Sequence, residues 1–183
     1  MKIFLHIGIE KSGTTTIQGF LGVNKKKLQA HGIGISRSLG SENNALLAAY
    51  AMNHDRSNSV HIRRNLVLPS DRSAFEKHVA ENFMREVASM PTHVQSIVLS
   101  NEHCHSNLVD RQEIEKLREL LFRVSQDITV IVYLRRQIDV CVSHYSTLLK
   151  LGYTIDLDQH VEHLSLTHFT NYLELVNLWA DVL

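Results

Sequence analysis

The stretch KIFLHIGIEKSGTTT, residues 2–16, predicts the first strand, loop and helix of the fold. Residues 3–7 are apolar but too few for a helix, and Gly8 bounds them, which indicates a buried strand. From Thr14 to about Ala30 the apolar residues recur at helical spacing. One face of this helix is predicted to carry Ile17, Phe20, Leu21 and Leu28. A glycine- and hydroxyl-rich loop therefore joins a strand to a helix, an arrangement that binds phosphate through backbone N–H groups.

The alternation of strands and helices continues along the chain. Three more apolar runs indicate strands, at residues 32–36, 94–100 and 128–134. Helices are indicated at residues 42–52, from 70 or 71 to 89, after Asp110, at 137–151 and from 167 onward, with a loop at 53–68. Strands that are apolar throughout and alternate with helices are typical of a parallel sheet covered on both faces. The predicted fold class is α/β, with three α/β/α layers around a central parallel sheet.

Composition and charge restrict the class of protein. The chain has 183 residues, which suits a single domain over residues 1–183. Its 19 basic and 19 acidic residues balance, which argues against a general nucleic-acid binder. Cys104 and Cys141 are the only cysteines, and the first apolar run is too short for a membrane span or a secretory signal. We therefore expect a cytoplasmic protein with no nucleic-acid partner and no membrane span.

The loop after the first strand has the glycine spacing of a P-loop but a displaced lysine. Gly8 and Gly13 enclose four residues, as in the pattern G-x-x-x-x-G-K-[ST]. The lysine expected after Gly13 stands two residues before it, as Lys11. Backbone N–H groups and the hydroxyls of Thr14 and Thr15 still favour an anion site. The alternative is a Ser/Thr-rich helix start with an incidental lysine.

The segment KSGTT, residues 11–15, resembles the 5′-phosphosulfate loop of sulfotransferases, which transfer a sulfuryl group from 3′-phosphoadenosine 5′-phosphosulfate (PAPS). That family grips the 3′-phosphate with an arginine at the end of a later strand and a serine eight residues on. The stretch YLRRQIDVCVSHY, residues 133–145, has Arg135 and Ser143 at this spacing, and Asp139 where such motifs often carry Asp. The adjacent Arg136 is the rival to Arg135, but it is seven residues from Ser143 and not eight. The alternative is an arginine that simply leaves a strand and a helix serine that faces solvent.

This resemblance implies a P-loop-like sulfotransferase fold with PAPS as co-substrate and no metal. The residues that it assigns to nucleotide binding are Lys11, Ser12, Gly13, Thr14, Thr15, Thr16, Arg135 and Ser143. It also implies a role for Lys11 in catalysis, because charge moves onto the leaving phosphate during transfer and must be neutralised. Members of the family have further C-terminal sequence, so the domain is expected to be incomplete at its C-terminus.

The stretch IVLSNEHCHSNL, residues 97–108, is similar to a serine–glutamate stretch of bacterial sulfotransferase-like proteins and carbohydrate sulfotransferases. An acceptor hydroxyl needs a base, and Glu102 is the first candidate, with His103 and His105 as alternatives. Glu102 as a helix cap or ion-pair partner remains open. A metal site at residues 103–105 is disfavoured, because no second cluster stands at metal-ligand spacing.

Two further segments bear on the acceptor and on the end of the chain. His61, Arg63 and Arg64 are candidates to hold an acidic acceptor, or belong to a solvated loop. Near the end, a helical face is predicted to carry Phe169, Leu173, Val176 and Trp179. A tryptophan there needs a covering surface, so we expect one side of the nucleotide site to be open or covered by a second copy of the chain.

The predicted function is sulfuryl transfer from PAPS to a hydroxyl of a carbohydrate or related metabolite. One alternative is an ATP- and Mg²⁺-dependent kinase-like enzyme, which the missing lysine after Gly13 disfavours. The other is a catalytically incomplete nucleotide-binding module.

Overall fold

A four-stranded, all-parallel sheet organises the structure, a computed structural model that describes residues 1–41 and 43–183. Its strands are β1 Lys2–Gly8, β2 Ile33–Ile35, β3 Ser96–Ser100 and β4 Ile128–Val132. The order across the sheet is β2-β3-β1-β4. The prediction of an α/β fold with a central parallel sheet is therefore confirmed, and the helices of the described chain are compatible with the predicted three layers.

Strand β1 lies in the middle of the sheet and is its most buried strand. Ile3, Leu5 and Ile7 are almost fully buried, as expected for a strand covered on both faces. Lys2 pairs with Ser96 at the start of β3, and the register continues to the end of that strand. Strand β4 pairs with the other side of β1 and is only half-buried along its length. Because the strands are parallel, β1, β3 and β4 end at the same edge, where their following loops meet.

The helices occupy the connections between the strands. They are α1 Thr14–Ala30, α2 Leu46–Ala51, α3 Ser59–Arg63, α4 Pro69–Ala88, α5 His103–Asn107, α6 Arg111–Phe122, α7 Gln137–Lys150, α8 Leu157–Ser165 and α9 Tyr172–Ala180. Glu42, where the predicted helix 42–52 begins, lies outside the described residues, and the observed helix starts at Leu46. None of the helices in the described residues is both long and apolar enough to cross a membrane.

Three short helices correct the sequence-based prediction. Helix α3 lies inside the segment 53–68 that was predicted as a loop, and helices α5 and α8 were not predicted. Helices α3 and α8 each begin at a capping side chain: Asn58 accepts hydrogen bonds from the N–H groups of Val60 and His61, and Asp156 caps α8 in the same way. These helices depend on a local cap and on tertiary packing, so a search for apolar periodicity misses them.

The buried faces of the long helices were predicted with mixed success. Helix α6 buries its predicted apolar residues completely, from Ile114 to Leu121. Helix α1 instead buries Thr14 and Gln18, while Phe20 is 59% exposed, so the face predicted for α1 is wrong at Phe20. A buried glutamine beside an exposed phenylalanine indicates that something other than apolar burial fixes the rotation of this helix.

The last helix packs against the sheet with a face that agrees only in part with the predicted one. Trp179 is 3% exposed, as predicted, and Leu175 is buried with it, whereas Leu173 is 72% exposed. The predicted face is therefore wrong at Leu173, because residues 175 and 179, four apart, form the row that faces the sheet. A cavity of about 290 Å³ remains between α9 and strands β1 and β4.

This packing predicts unequal effects of two truncations in α9. Trp179→Ala is expected to lower the free energy of unfolding by about 3–5 kcal/mol, because it opens a cavity in the core. Leu173→Ala, in the same helix, should leave it nearly unchanged because Leu173 faces solvent. Urea unfolding of both variants measures the difference, and equal losses would contradict the observed rotation of α9.

Candidate functional site

A small cleft lies at the edge of the sheet where β1, β3 and β4 end. Its volume is about 160 Å³. Its walls are Glu10, Lys11, Gly13, Thr14, Thr15 and Glu102. Ligands of open parallel sheets bind beyond the carboxyl ends of the strands, and this cleft has that position. The structure thus brings together the loop after β1 and Glu102, which stand about ninety residues apart in sequence.

The loop between β1 and α1 folds back on itself and leaves the start of α1 facing the cleft. Lys11 and Gly13 have left-handed backbone conformations, with φ of 66° and 92°. The Ser12 hydroxyl donates a hydrogen bond to the carbonyl of Ile9 at 2.6 Å, so Ser12 closes the loop and does not line the cleft. Gly13, the residue before α1, supplies no capping side chain, and the first N–H groups of a helix have no acceptor within it. This arrangement favours an anion.

The predicted hydroxyl groups differ in position. Thr14 is buried and Thr15 is exposed, and both line the cleft. Thr16 is exposed on the helix and is not part of the cleft wall. Of the threonines, Thr14 and Thr15 are therefore the two that are placed to contact a ligand in the cleft.

Lys11 connects the loop after β1 to helix α7 and to Arg135, which follows β4. Its Nζ donates a hydrogen bond to Thr147 Oγ1 of α7 at 2.9 Å. Thr147 in turn donates to the carbonyl of Ser143, one helical turn earlier on the same face of α7. The backbone carbonyl of Lys11 accepts a hydrogen bond from Arg135 Nη1 at 2.8 Å. The two motifs that the sequence places more than a hundred residues apart thus meet at Lys11.

The neighbouring arginines have different partners. Arg136 forms a two-pronged ion pair with Asp139, with Nε–Oδ2 and Nη2–Oδ1 distances of 2.8 and 3.0 Å. The hydrogen bond from Arg136 lowers the pKa of the Asp139 carboxyl. Arg135 instead points its guanidinium at the loop, while its own carbonyl accepts from the Tyr172 hydroxyl at 2.7 Å. Because the Arg136 guanidinium is paired with Asp139, Arg135 is the arginine available to a phosphate.

Glu102 stands at the end of β3, directly beside the backbone of Gly8. A Cβ added to Gly8 would lie 2.9 Å from Glu102 Cα, so no side chain fits between the strand end and Glu102. Gly8 also has a φ of 105°, which only glycine adopts readily. Gln18 of α1 donates a hydrogen bond from Nε2 to Glu102 Oε2. Glu102 is therefore held at the cleft from two sides.

The two histidines that follow Glu102 have different surroundings. His103 Nδ1–H donates to Glu10 Oε1 at 3.2 Å, and this hydrogen bond raises the pKa of His103. Burial alone would raise the pKa of Glu10, but the hydrogen bonds from His103 and Ser106 outweigh it and the pKa is lowered. An acid–base pair thus lies next to the cleft, with Glu10 in its wall.

His105 lies in the core and not at the cleft. It is 1% exposed, and its Nε2–H donates to the carbonyl of Phe169 at 3.1 Å. Burial lowers the pKa of His105 to about 4, so it is neutral at pH 7. Of the three candidate bases, Glu102 lines the cleft, His103 adjoins it and His105 packs away from it.

The residues proposed to hold an acceptor are also divided. His61 is buried: its Nδ1 accepts from the Asn58 N–H and its Nε2–H donates to the carbonyl of Ala49. Both ring nitrogens of His61 are thus used in hydrogen bonds within the protein. Arg63 and Arg64 are exposed, and the Arg64 guanidinium lies over the ring of Phe75.

Sequence reasoning missed the polar residues that support the site. They are His6, Glu10, Gln18, Ser100 and Thr147. A signal for one of them exists, because His6 interrupts an otherwise apolar strand. Its partner Ser100 could be found only from the register, which places the two side by side on β1 and β3.

Two glycine substitutions test the geometry of the loop. Gly8→Ala is expected to cost stability both by backbone strain, about 1–3 kcal/mol, and by the collision with Glu102. Gly13→Ala is the matched control, because its φ is also positive but nothing lies within 4 Å of the added Cβ. Urea unfolding should show the larger loss for Gly8→Ala, and the reverse order would contradict the close approach of β1 to Glu102.

Comparison with known proteins assigns no family to the chain. It matches no family model, no curated protein and no solved structure.

Proposed function

We propose that the protein is a PAPS-dependent sulfotransferase that acts on a hydroxyl group of a carbohydrate or related metabolite. The observation that carries the proposal is the hydrogen bond from Arg135 to the carbonyl of Lys11. It joins the two motifs that resemble those of sulfotransferases, one suited to a 5′-phosphosulfate and the other to a 3′-phosphate. A helix cap with an incidental lysine gives no reason for an arginine at the end of β4 to reach that loop.

The size of the cleft suits the reacting end of the donor. At about 160 Å³ it is smaller than the roughly 300–1,000 Å³ of sites that enclose drug-sized ligands. We place the phosphosulfate in the cleft, against the N-terminus of α1. The nucleoside then extends toward Arg135 and α7, so that Arg135 and Ser143 bind the 3′-phosphate.

The transfer step uses Lys11 and Glu102. The acceptor oxygen attacks sulfur while the bond from sulfur to the bridging oxygen breaks, and adenosine 3′,5′-bisphosphate leaves. Glu102 takes the proton of the acceptor hydroxyl, and the Lys11 ammonium neutralises charge on the leaving oxygen. Lys11 is bonded here to Thr147, and its flexible side chain reaches the leaving oxygen by rotation. The sulfuryl group carries less charge than a terminal phosphate, so the proposal includes no metal.

His103 is the alternative base. Its ring is oriented by Glu10, as the base of a catalytic dyad is oriented by a carboxylate. Glu102 remains the first choice because it lines the cleft with Lys11 and Thr14.

The first test of the proposal concerns the nucleotide. Calorimetric titration should show that adenosine 3′,5′-bisphosphate binds without metal. It should bind more tightly than AMP without metal and more tightly than ATP in the presence of Mg²⁺. A charge-assisted arginine contact is worth about 1.5–3 kcal/mol, so Arg135→Ala should weaken bisphosphate binding about ten- to hundredfold. Arg136→Ala is the matched control and should keep the preference, because Arg136 is paired with Asp139. Equal affinity of the unaltered protein for AMP and the bisphosphate would refute the proposal.

The second test separates binding from chemistry. Lys11→Ala should lower kcat more than it weakens bisphosphate binding, because charge on the leaving oxygen develops in the transition state. Glu102→Gln should lower kcat by about 10²–10⁴ with nucleotide affinity nearly intact. Lys26→Ala, an exposed lysine on α1, is the control for Lys11. If Glu102→Gln keeps full turnover and His103→Ala abolishes it, His103 is the base.

A further inference from the structure

A cluster of buried polar side chains lies beneath the cleft, between α1 and the sheet. Its members are His6 of β1, Gln18 of α1 and Ser100 of β3, all less than 8% exposed. His6 Nδ1 and Ser100 Oγ share a hydrogen bond of 2.8 Å. Burial lowers the pKa of His6 against the opposing effect of Glu102, so the ring is neutral at pH 7. The cluster therefore adds no charge of its own below the cleft.

Gln18 connects this cluster to Glu102. A glutamine amide has two N–H donors, and Gln18 Nε2 contacts two acceptors. It donates to Glu102 Oε2 and lies 3.5 Å from Ser100 Oγ. One carboxylate oxygen of Glu102 is thus held by Gln18, while the Glu102 residue lines the cleft.

The hydrogen bonds of Gln18 compensate the burial of its amide, and they are made to groups at the site. Helix α1 turns Gln18 inward while Phe20 and Val23 are 59% and 88% exposed. Burial of an amide costs free energy unless it is hydrogen-bonded, and an apolar side chain at position 18 would cover the sheet without that cost. The rotation of α1 is thus the one that brings a donor to Glu102, in place of one that buries more apolar surface.

We propose that Gln18 is the positioning residue that sets the orientation of Glu102 as general base; this inference rests on the proposed sulfotransferase function. Gln18 touches neither donor nor acceptor and acts through the Glu102 carboxylate. By fixing Oε2, it directs Oε1 to the acceptor hydroxyl, and Ser100 and His6 hold the amide in turn. Loss of this hydrogen bond should then affect turnover and not nucleotide binding.

The test replaces Gln18 by a side chain of similar length without donors. Gln18→Met is expected to lower kcat about ten- to hundredfold, the cost of a misplaced reacting group. Its affinity for adenosine 3′,5′-bisphosphate should not change, because the nucleotide contacts are elsewhere. Gln29→Met, the same change about three turns along α1, is the matched control and should keep full kcat.

A double-mutant cycle separates positioning from a general structural effect. If Gln18 acts through Glu102, Gln18→Met should lower kcat no further in the Glu102→Gln background. Equal losses in both backgrounds, or full kcat in Gln18→Met alone, would overturn the inference.

A measurement that needs no activity completes the test. In ¹H–¹⁵N spectra the side-chain amide signals of Gln18 should shift on Glu102→Gln, and those of Gln29 should not. If the Gln18 signals do not respond, the inference is wrong whether or not transfer is detected. Failure of the unaltered protein to bind the bisphosphate would instead refute the sulfotransferase proposal, and the spectra would still report on the contact between Gln18 and Glu102.

Discussion

The close approach of β1 to the end of β3 is the constraint on which the site depends. Strands β1 and β3 are parallel neighbours in register, so Gly8 arrives beside Glu102. Only a residue without a Cβ permits this contact, and it places the loop after β1 and a carboxylate in the walls of one cleft. The separation of the two groups is thus set by backbone against backbone, which is more rigid than contact between side chains.

Much of the fold follows from apolar patterns, and what was missed depends on tertiary contacts. Strand β1 and helix α6 were predicted because continuous runs and helical spacing report burial directly. Helix α3 was missed because its five residues are stabilised by a cap and by neighbours. The order of the strands and the rotation of α9 depend on which surfaces meet, and a pattern along one element does not contain that information.

The candidate site was predictable to the extent that spacing along the chain carries geometry. The separation of Arg135 and Ser143 and the position of Lys11 were read from the sequence, and both segments do reach one loop. The direction in which each side chain points could not be read from the sequence. His103 and His105 are two residues apart on a short helix, so their side chains point about 200° apart. His103 reaches the edge of the cleft, and His105 enters the core. The contact of Gln18 with Glu102 depends on the rotation of α1 about its axis. The apolar pattern predicted a different rotation, with Phe20 buried, but Phe20 is exposed.

Because α1 has no side-chain cap, anions in the solution are expected to affect the stability of the folded protein. Since Gly13 supplies no side-chain acceptor, an anion bound at the start of α1 takes the place of the cap and stabilises only the folded chain. Sulfate or phosphate in a buffer would then occupy the same N–H groups as the proposed sulfuryl donor. Such ions would raise the melting temperature and weaken the apparent affinity for the nucleotide together. Under the proposed function a buffer anion would act as a competing ligand, and stability and affinity would be comparable only at a fixed anion concentration.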